Sequence, residues 1–413
     1  MKKPSHLIIF LTVFIDLIGF GIVLPLLPIY SRDFGVNGFM IGAIVASYSL
    51  MQFLFAPWWG HLSDKIGRRP VLLISLGGSA LSYMIFAIGS GLKNPDAALW
   101  VLLLSRVLAG ICGANISVAQ AYIADITPKE HRSKRMGLVG MAFGLGFIFG
   151  PALAGAGLHL FGRTGPGWIA AVLTAGNFLF ALVRLPESWK PSSDHVASRP
   201  RVDQWLRALR LPKVGLLIGL FFLATFCFTC FEITLGLLVS DRFHLKTEDL
   251  VGQPTYDPKI IWLYAFCGVV GAMVQGGAIG RAVKLLGEPL LIAVSLTLVA
   301  VAMVVLPYAQ SWPTLLAALV VLSIGSGLTR PPVFGMISIL TPEDEQGAVI
   351  GVAQSAGSLA RIVGPIFATS LFAKHQALPY LICGSLSLLA GFLAWQFLCR
   401  SQARSTERAS AAV

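Results

Sequence analysis

The sequence predicts an all-α membrane protein: twelve transmembrane helices in two six-helix bundles related by a pseudo-two-fold axis. Three observations carry that expectation. The 413-residue chain is 56% hydrophobic and only 12% charged, far less charged than a soluble domain, which carries about a quarter. Its apolar residues fall into about twelve runs, each long enough to cross a hydrocarbon layer ~30 Å thick. A punctuated stretch occurs twice: Thr127-Pro128, Gly137 and Gly150-Pro151 are matched by Thr341-Pro342, Gly351 and Gly364-Pro365, with the same spacings of 10 and 23 residues. A looser echo pairs Gly60, Gly67 and Pro70 with Gly280, Gly287 and Pro289. Duplication in an apolar chain predicts two homologous bundles with a binding site between them.

The spans read, in order, as 7–30, 39–61, 70–91, 98–123, 135–159, 166–185, 213–240, 258–281, 287–308, 312–338, 347–373 and 377–399. Glycine, 43 residues in all, is frequent inside them, as close helix packing in lipid favours. Four regions follow: an N-terminal bundle (1–185), a linker (186–212), a C-terminal bundle (213–400) and a tail (401–413). The linker carries Arg199, Arg201, Arg207 and Arg210, and residues 203–210 read as a short amphipathic helix on the membrane surface.

Loops on the side of the termini hold 21 Lys and Arg, against 7 on the other side. This asymmetry places both termini in the cytoplasm of a multi-pass protein of the inner (plasma) membrane. It also explains the net charge of +12 as topology, which argues against nucleic acid as a partner. The first apolar segment lacks a cleavage site and reads as a permanent helix. Cys227 and Cys230 form a C-x-x-C inside an apolar run and read as helix-packing residues. The seven histidines are dispersed, and no catalytic constellation or metal cluster is visible, so neither an enzyme nor a metal site is expected. No loop exceeds ~30 residues, too short for the signalling domain of a receptor.

The motifs resemble those of the major facilitator superfamily. Gly60-His61-Leu62-Ser63-Asp64-Lys65-Ile66-Gly67-Arg68-Arg69 resembles the family's signature loop between helices two and three. Arg106 with Gly110 and Gly113 resembles its helix-four arginine motif, and Gly146, Gly150-Pro151 and Gly155 its antiporter motif in helix five. Asp16-Leu17-Ile18-Gly19-Phe20-Gly21 with Pro25 and Pro28 is similar to helix one of twelve-helix drug:proton antiporters. Asp241-Arg242-Phe243-His244, Gln275 with Gly280-Arg281, Glu345-Gln346-Gly347 and Ile362-Val363-Gly364-Pro365 resemble tetracycline exporters and tetracycline-transporter-like proteins. The resemblance implies the major facilitator fold and proton-coupled efflux of amphipathic drugs or organic solutes by alternating access. The proton gradient would supply the coupling ion, with no cofactor. The alternative is an organic anion, lipid or metabolite moved by symport or facilitated diffusion. A monomer in the lipid bilayer is expected. The exporters' intramembrane aspartates of helices three and nine fall here at Ser82 and Val299, and a helix-eight histidine at Gly271. Of their acids, Asp16 alone is kept.

A charge at mid-membrane costs at least ~2.5–3.5 kcal/mol, so Asp16, Arg106, Glu232, Arg330 and Arg361 call for a purpose. Asp16, about ten residues into the first span, is the candidate proton-coupling acid; the alternative is a fixed polar contact. A desolvated site favours its proton and a nearby arginine disfavours it, so the carboxyl can load and unload. Arg106 stays charged and either tunes that carboxyl or bonds structurally. Glu232 is a second proton site, a substrate ligand, or the ion-pair partner of Arg330 or Arg361. By register it lies opposite Val23, and Arg330 opposite Ile116, so these charges are not copies made by the duplication. Arg330 and Arg361 suit a carboxylate, phosphate or sulfonate. Pro331-Pro332 is expected to interrupt span ten. Gln52, Asn115, Gln120, Gln275 and Gln354 either bind substrate or bridge helices. Trp58, Trp59 and Trp100 read as interfacial belt residues, and Phe221, Phe222, Phe226 and Phe228 as packing. The gate is expected at Gly60, Asp64, Gly67, Arg68, Arg69 and Asp125. Asp64 would approach the start of span eleven, and Arg68 and Arg69 would pair with acids such as Asp125. Gly150-Pro151 and Gly364-Pro365 would be bend points.

Overall fold

The computed structural model describes residues 5–23, 38–189, 201–211, 213–243, 249–250, 253–254, 258–342 and 345–400. Pro25, Pro28, Arg199, His244 and the tail 401–413 lie outside the described residues. The first half comprises α1 (His6–Val23), α2 (Gly38–Ile66), α3 (Arg68–Gly91), α4 (Pro95–Asp125), α5 (Arg132–Phe161) and α6 (Gly165–Arg184). A linker helix, α7 (Arg201–Arg210), follows. The second half comprises α8 (Val214–Arg242), α9 (Pro258–Met273), α10 (Ile279–Val305), α11 (Trp312–Leu340), α12 (Gln346–Phe372) and α13 (Leu378–Ala394). A hairpin of two-residue strands, Asp249–Leu250 and Gln253–Pro254, precedes α9. Among the described residues the regular structure is otherwise helical, and the protein spans the membrane many times. Nine stretches among the described residues are long and apolar enough to cross a bilayer; two of these, Lys129–Arg184 and Trp262–Tyr308, each cover most of two expected spans.

Local chemistry sets the helix ends. Asn94 accepts from the amides of Asp96 and Ala97, with Pro95 opening the first turn of α4. Ser311 caps α11 through the Thr314 amide, and Pro313 follows it into the turn. Such caps satisfy amides that a helix start leaves unpaired. α2 ends at Gly67 (φ 100°), and α10 turns at Gly287 (φ 72°). These are the two glycines paired by the looser sequence echo, and both hold the left-handed conformation that side chains resist.

Packing repeats with the duplication. α1 packs on α5, α3 on α4 and α6, and α2 on α4. In the second half α8 packs on α12, α10 on α11 and α13, and α9 on α11. The halves meet through α2 against α12, and α5 against α9 and α11. Gly150 belongs to such a crossing: a Cβ there would lie 2.6 Å from Gly21 Cα of α1. Its counterpart Gly364 faces Thr229 of α8. Both glycines let a helix approach its neighbour, as packing in lipid requires. α5 and α12 run through Gly150-Pro151 and Gly364-Pro365 without a break.

Three expectations change. α11 runs continuously through Pro331-Pro332, because neighbouring helices hold a long helix past two missing amides. Trp59 is buried and donates from its indole to the Ile111 carbonyl at 2.6 Å, so it joins α2 to α4 rather than the interface. Trp58 and Trp100 are exposed as a belt requires. The linker helix starts two residues earlier than expected. Its Leu206 and Leu209 are exposed, while Ala208 is buried.

Candidate functional site

Two polar clusters join the halves. The first lies at the end holding Arg68, Arg132 and Arg207, here called the basic end. Asp64, in the last turn of α2, accepts from the Gly347 and Ala348 amides at 3.1 and 2.9 Å. These are the opening amides of α12, where the helix presents partial positive charge. The backbones come close enough that a Cβ on Gly60 would lie 2.0 Å from the Gly347 carbonyl oxygen. Arg68 is fully buried. It pairs with Asp64, donates through Nε to Asp125 at 3.0 Å and through Nη1 to Ser63 at 2.8 Å. Arg69 departs from expectation: its guanidinium donates to the Leu185 and Leu182 carbonyls at 2.7 and 2.8 Å. Arg68 already occupies Asp125, and the end of α6 offers carbonyls without amide partners.

Glu187, which the sequence did not single out, anchors the same loop. Its carboxylate accepts from the amides of Arg68 and Arg69 at 3.0 and 3.1 Å, capping α3. A Cβ on Gly67 would lie 2.6 Å from Glu187 Oε2, so a side chain there would push on the capping carboxylate, while the positive φ is what requires the glycine. Arg132, also not anticipated, donates across the halves to the Ser338 carbonyl and hydroxyl at 2.9 and 3.1 Å. Arg207 of the linker helix pairs with Glu345 at 3.2 Å.

The second cluster lies in mid-helix, between the halves. Asp16 Oδ2 accepts from Asn115 Nδ2 at 3.4 Å, while Oδ1 is buried without a hydrogen-bond partner among the described residues. Asn115 closes a 3-10 turn, Gly113–Asn115, inside α4. Gln52 donates from Nε2 to the Tyr48 hydroxyl and the Gly113 carbonyl, both at 3.0 Å. Its Oε1 accepts from Arg361 Nη2 at 3.3 Å, and Arg361 also donates to Ser358 at 3.1 Å. Arg330 donates to Gln354 Oε1 at 3.2 Å, and Gln354 Nε2 donates to Gln120 Oε1 at 2.7 Å. Arg361–Gln52 and Gln354–Gln120 therefore link the halves. The Arg330 guanidinium lies 4.8, 5.4 and 5.8 Å from the ring centroids of Phe143, Phe221 and Phe334. Such rings stabilise a cation held out of water. Phe221, read as packing, is thus one wall of an aromatic enclosure.

Three candidates stand apart from these bonds. The Arg106 guanidinium lies 5.2 Å from the Phe86 ring centroid and 5.8 Å from that of Tyr83, with Nε and Nη2 unpartnered among the described residues. Asp16 bonds to Asn115 and not to this arginine. Among the described residues, Glu232 has no ion pair within 4 Å, and it acts on Arg361 from beyond that distance. Gln275 sits in a π turn, Val274–Ala278, where α9 crosses Gly137 and Gly140 of α5. Tyr48 was missed, although it precedes Gln52 by one turn on the same face, a spacing the sequence shows. Ser82 donates to the Ser79 carbonyl at 2.7 Å, and Val299 is buried. A cavity of about 550 Å³, lined by Arg242, Tyr308 and His375 among others, opens at the far end of the second half, away from both clusters.

A duplicated helical membrane protein with a polar junction between its halves is built as a solute transporter, not an enzyme. The chain belongs to the Major Facilitator Superfamily, whose family model matches residues 9–306 and again 260–412. It is 33% identical to the class C tetracycline resistance protein of Escherichia coli over 386 residues, covering 91% of this chain and 92% of that one. It is 30% identical to major facilitator superfamily domain-containing protein 10 of Bos taurus, covering 92% and 90%. The crystal structure of the human organic anion transporter MFSD10 (TETRAN) superposes with a TM-score of 0.80 at 26% identity, covering 95% of this chain and all of that one.

Proposed function

We propose that this transporter exports amphipathic organic solutes bearing an anionic group, in exchange for protons, by alternating access. One observation carries the substrate reading. Arg330 and Arg361 face the first half at mid-helix with neutral amide partners and, among the described residues, no carboxylate within ion-pair distance. Glu232 acts on Arg361 only from beyond ion-pair distance, so the two buried cations are incompletely compensated, which is costly, and a solute carboxylate or sulfonate answers both arginines by charge-assisted hydrogen bonds. Human MFSD10, similar in structure, is an organic anion transporter, which agrees with this chemistry.

Asp16 supports the proton half of the cycle. Its buried Oδ1 accepts no hydrogen bond among the described residues, which leaves it open to a proton, and Asn115 donates to Oδ2. Residues 1–185 and 213–400 rock as two bundles about the central cluster, joined by 186–212. The basic end faces the cytoplasm of the inner membrane, as the Lys and Arg asymmetry requires. The contacts of Asp64 and Arg132 close that end, and the chain works as a monomer.

The test is flux in proteoliposomes with and without an imposed pH gradient, using tetracycline, cationic dyes and amphipathic organic anions. Wild type should move an anionic or zwitterionic solute uphill only with the gradient. Asp16→Asn should lose uphill movement and keep exchange. Downhill flux indifferent to pH and to Asp16 would sink the antiport reading.

A further inference from the structure

In this conformation the first half occupies the arginines of the second. Gln52 can present only its oxygen to Arg361, because its Nε2 is committed to Tyr48 and Gly113. Phe143 of α5 covers Arg330, its ring centroid 4.8 Å from the guanidinium carbon. Gln354, the acceptor of Arg330, is held by Gln120 of α4. Gln52, Phe143 and Gln120 belong to the first half, and both arginines to the second. The bonds that close the basic end between Asp64 and α12 join the same two helices, α2 and α12, as the bond from Arg361 to Gln52.

We propose that these first-half side chains are surrogate ligands, which displace a bound anionic group from Arg361 and Arg330 as the basic end closes, with Gln52 the decisive competitor. The inference rests on the reading of the two arginines as the anion's seat. A guanidinium has few donors in one direction, so Gln52 and an anion compete for the same ones at Arg361. When the halves separate at the basic end, Gln52 leaves with α2 and the donors open to the solute. When they close, the amide oxygen takes them back. The anion then binds more weakly in the closed state, and release is built into closure, since a solute shifts the equilibrium only by its differential affinity. A neutral amide suits this role. It accepts a charge-assisted hydrogen bond, whereas a buried carboxylate opposite Arg361 would be costly to separate.

The experiment uses the full chain in proteoliposomes with tetracycline and carboxyfluorescein as probes. It compares wild type, Gln52→Ala, Gln52→Glu and Arg361→Gln. Three quantities are read: KM from the basic side, the half-inhibitory concentration of the same probe from the opposite side, and the maximal net efflux. Gln52→Ala should tighten binding from the opposite side on the order of tenfold, the equivalent of one hydrogen bond to a charged group. It should also lower maximal efflux and leave basic-side KM within about twofold. Gln52→Glu, of the same shape, should act in the other direction, weakening opposite-side binding and slowing the cycle. Equal weakening on both sides in Gln52→Ala would make Gln52 a substrate ligand and overturn the inference, as would no change on either side. If Arg361→Gln weakens binding while Gln52→Ala fails to tighten it, the inference alone falls. If Arg361→Gln changes nothing, or wild type carries neither probe, the anion reading falls and takes the inference with it.

Discussion

Replacing Gly60 with alanine tests whether the contact between α2 and α12 sets the balance between states. The added Cβ would lie 2.0 Å from the Gly347 carbonyl oxygen and 2.6 Å from its carbon. Both are backbone atoms, so no side chain can swing aside. Ordinary contact begins near 3.4 Å, and the helices would have to part by more than about 1 Å. Overpacking of this kind costs ~1–3 kcal/mol. Parting also strains the two bonds from the Gly347 and Ala348 amides to Asp64. The clash exists only while the basic end is closed, so the cost falls on one state. A penalty of ~1–3 kcal/mol moves a two-state equilibrium about 5- to 150-fold. Spin labels at His131 and Leu340, both exposed and one in each half, would report the distance across that end. The long-distance population should grow in Gly60→Ala while the thermal midpoint changes little. A distance distribution identical to wild type would refute the reasoning. Loss of folding in place of a population shift would do so as well, by showing that the contact serves both states.

Further outcomes follow from other contacts. Glu187→Ala removes the carboxylate that caps α3, and should lower stability by ~1–2 kcal/mol in chemical denaturation; an unchanged midpoint would exclude the cap. Trp59→Phe keeps most of the ring but loses the bond to Ile111, costing about 1 kcal/mol, seen as a lower unfolding temperature in detergent. Arg330→Lys retains the charge but loses the planar group enclosed by Phe143, Phe221 and Phe334. It should weaken anion binding on the order of tenfold in a direct binding titration, with no such loss for a cationic dye.

How much was legible in the sequence depended on the range of the contact. Helix spans and their duplication were open to reading, because hydrophobic length and glycine punctuation are local properties. Asp64 lies at the first amides of α12, where the motif and the helix-terminus charge together placed it. Glu187 was hidden: it sits more than a hundred residues from the amides it caps, and nothing in its neighbours marks it. Arg69 was misread because two adjacent arginines look equivalent in sequence, yet successive helical positions point apart. Trp59 failed for the same reason beside Trp58. The prolines of α11 misled because a local rule about hydrogen bonds ignores the support of a packed bundle. In the central cluster the residue types were foreseen, but not their partners. Which amide meets which arginine depends on the relative placement of the halves, and no local pattern encodes it.

The two inter-helix loops at the basic end show what duplication keeps and what it releases. Both turn at a glycine with positive φ, Gly67 and Gly287, because backbone geometry leaves no other inexpensive solution. The charges around those glycines have exchanged sign. Asp64, three residues before Gly67, is matched by Lys284 three residues before Gly287, and Arg68 just after Gly67 is matched by Glu288. In the first half the acid before the turn caps α12. In the second half the acid after the turn accepts from Ser133, at the start of α5, at 3.2 Å, while Lys284 stays exposed. Each loop thus sends one carboxylate to the opening turn of a helix in the other half, from a different position in the motif. A helix N-terminus favours an anion wherever it is presented, so the recipient is fixed by the fold while the donor position can drift. The two contacts differ in strength on that account. Asp64 is buried and takes two amides and an arginine, whereas Glu288 is half-buried and takes one hydroxyl. Of these two loop contacts, that of α2 on α12 is therefore the stronger, and Asp64→Asn should open that end more than Glu288→Gln in the same spin-label measurement. Equal opening by the two variants would show that the latches share the load despite their unequal burial.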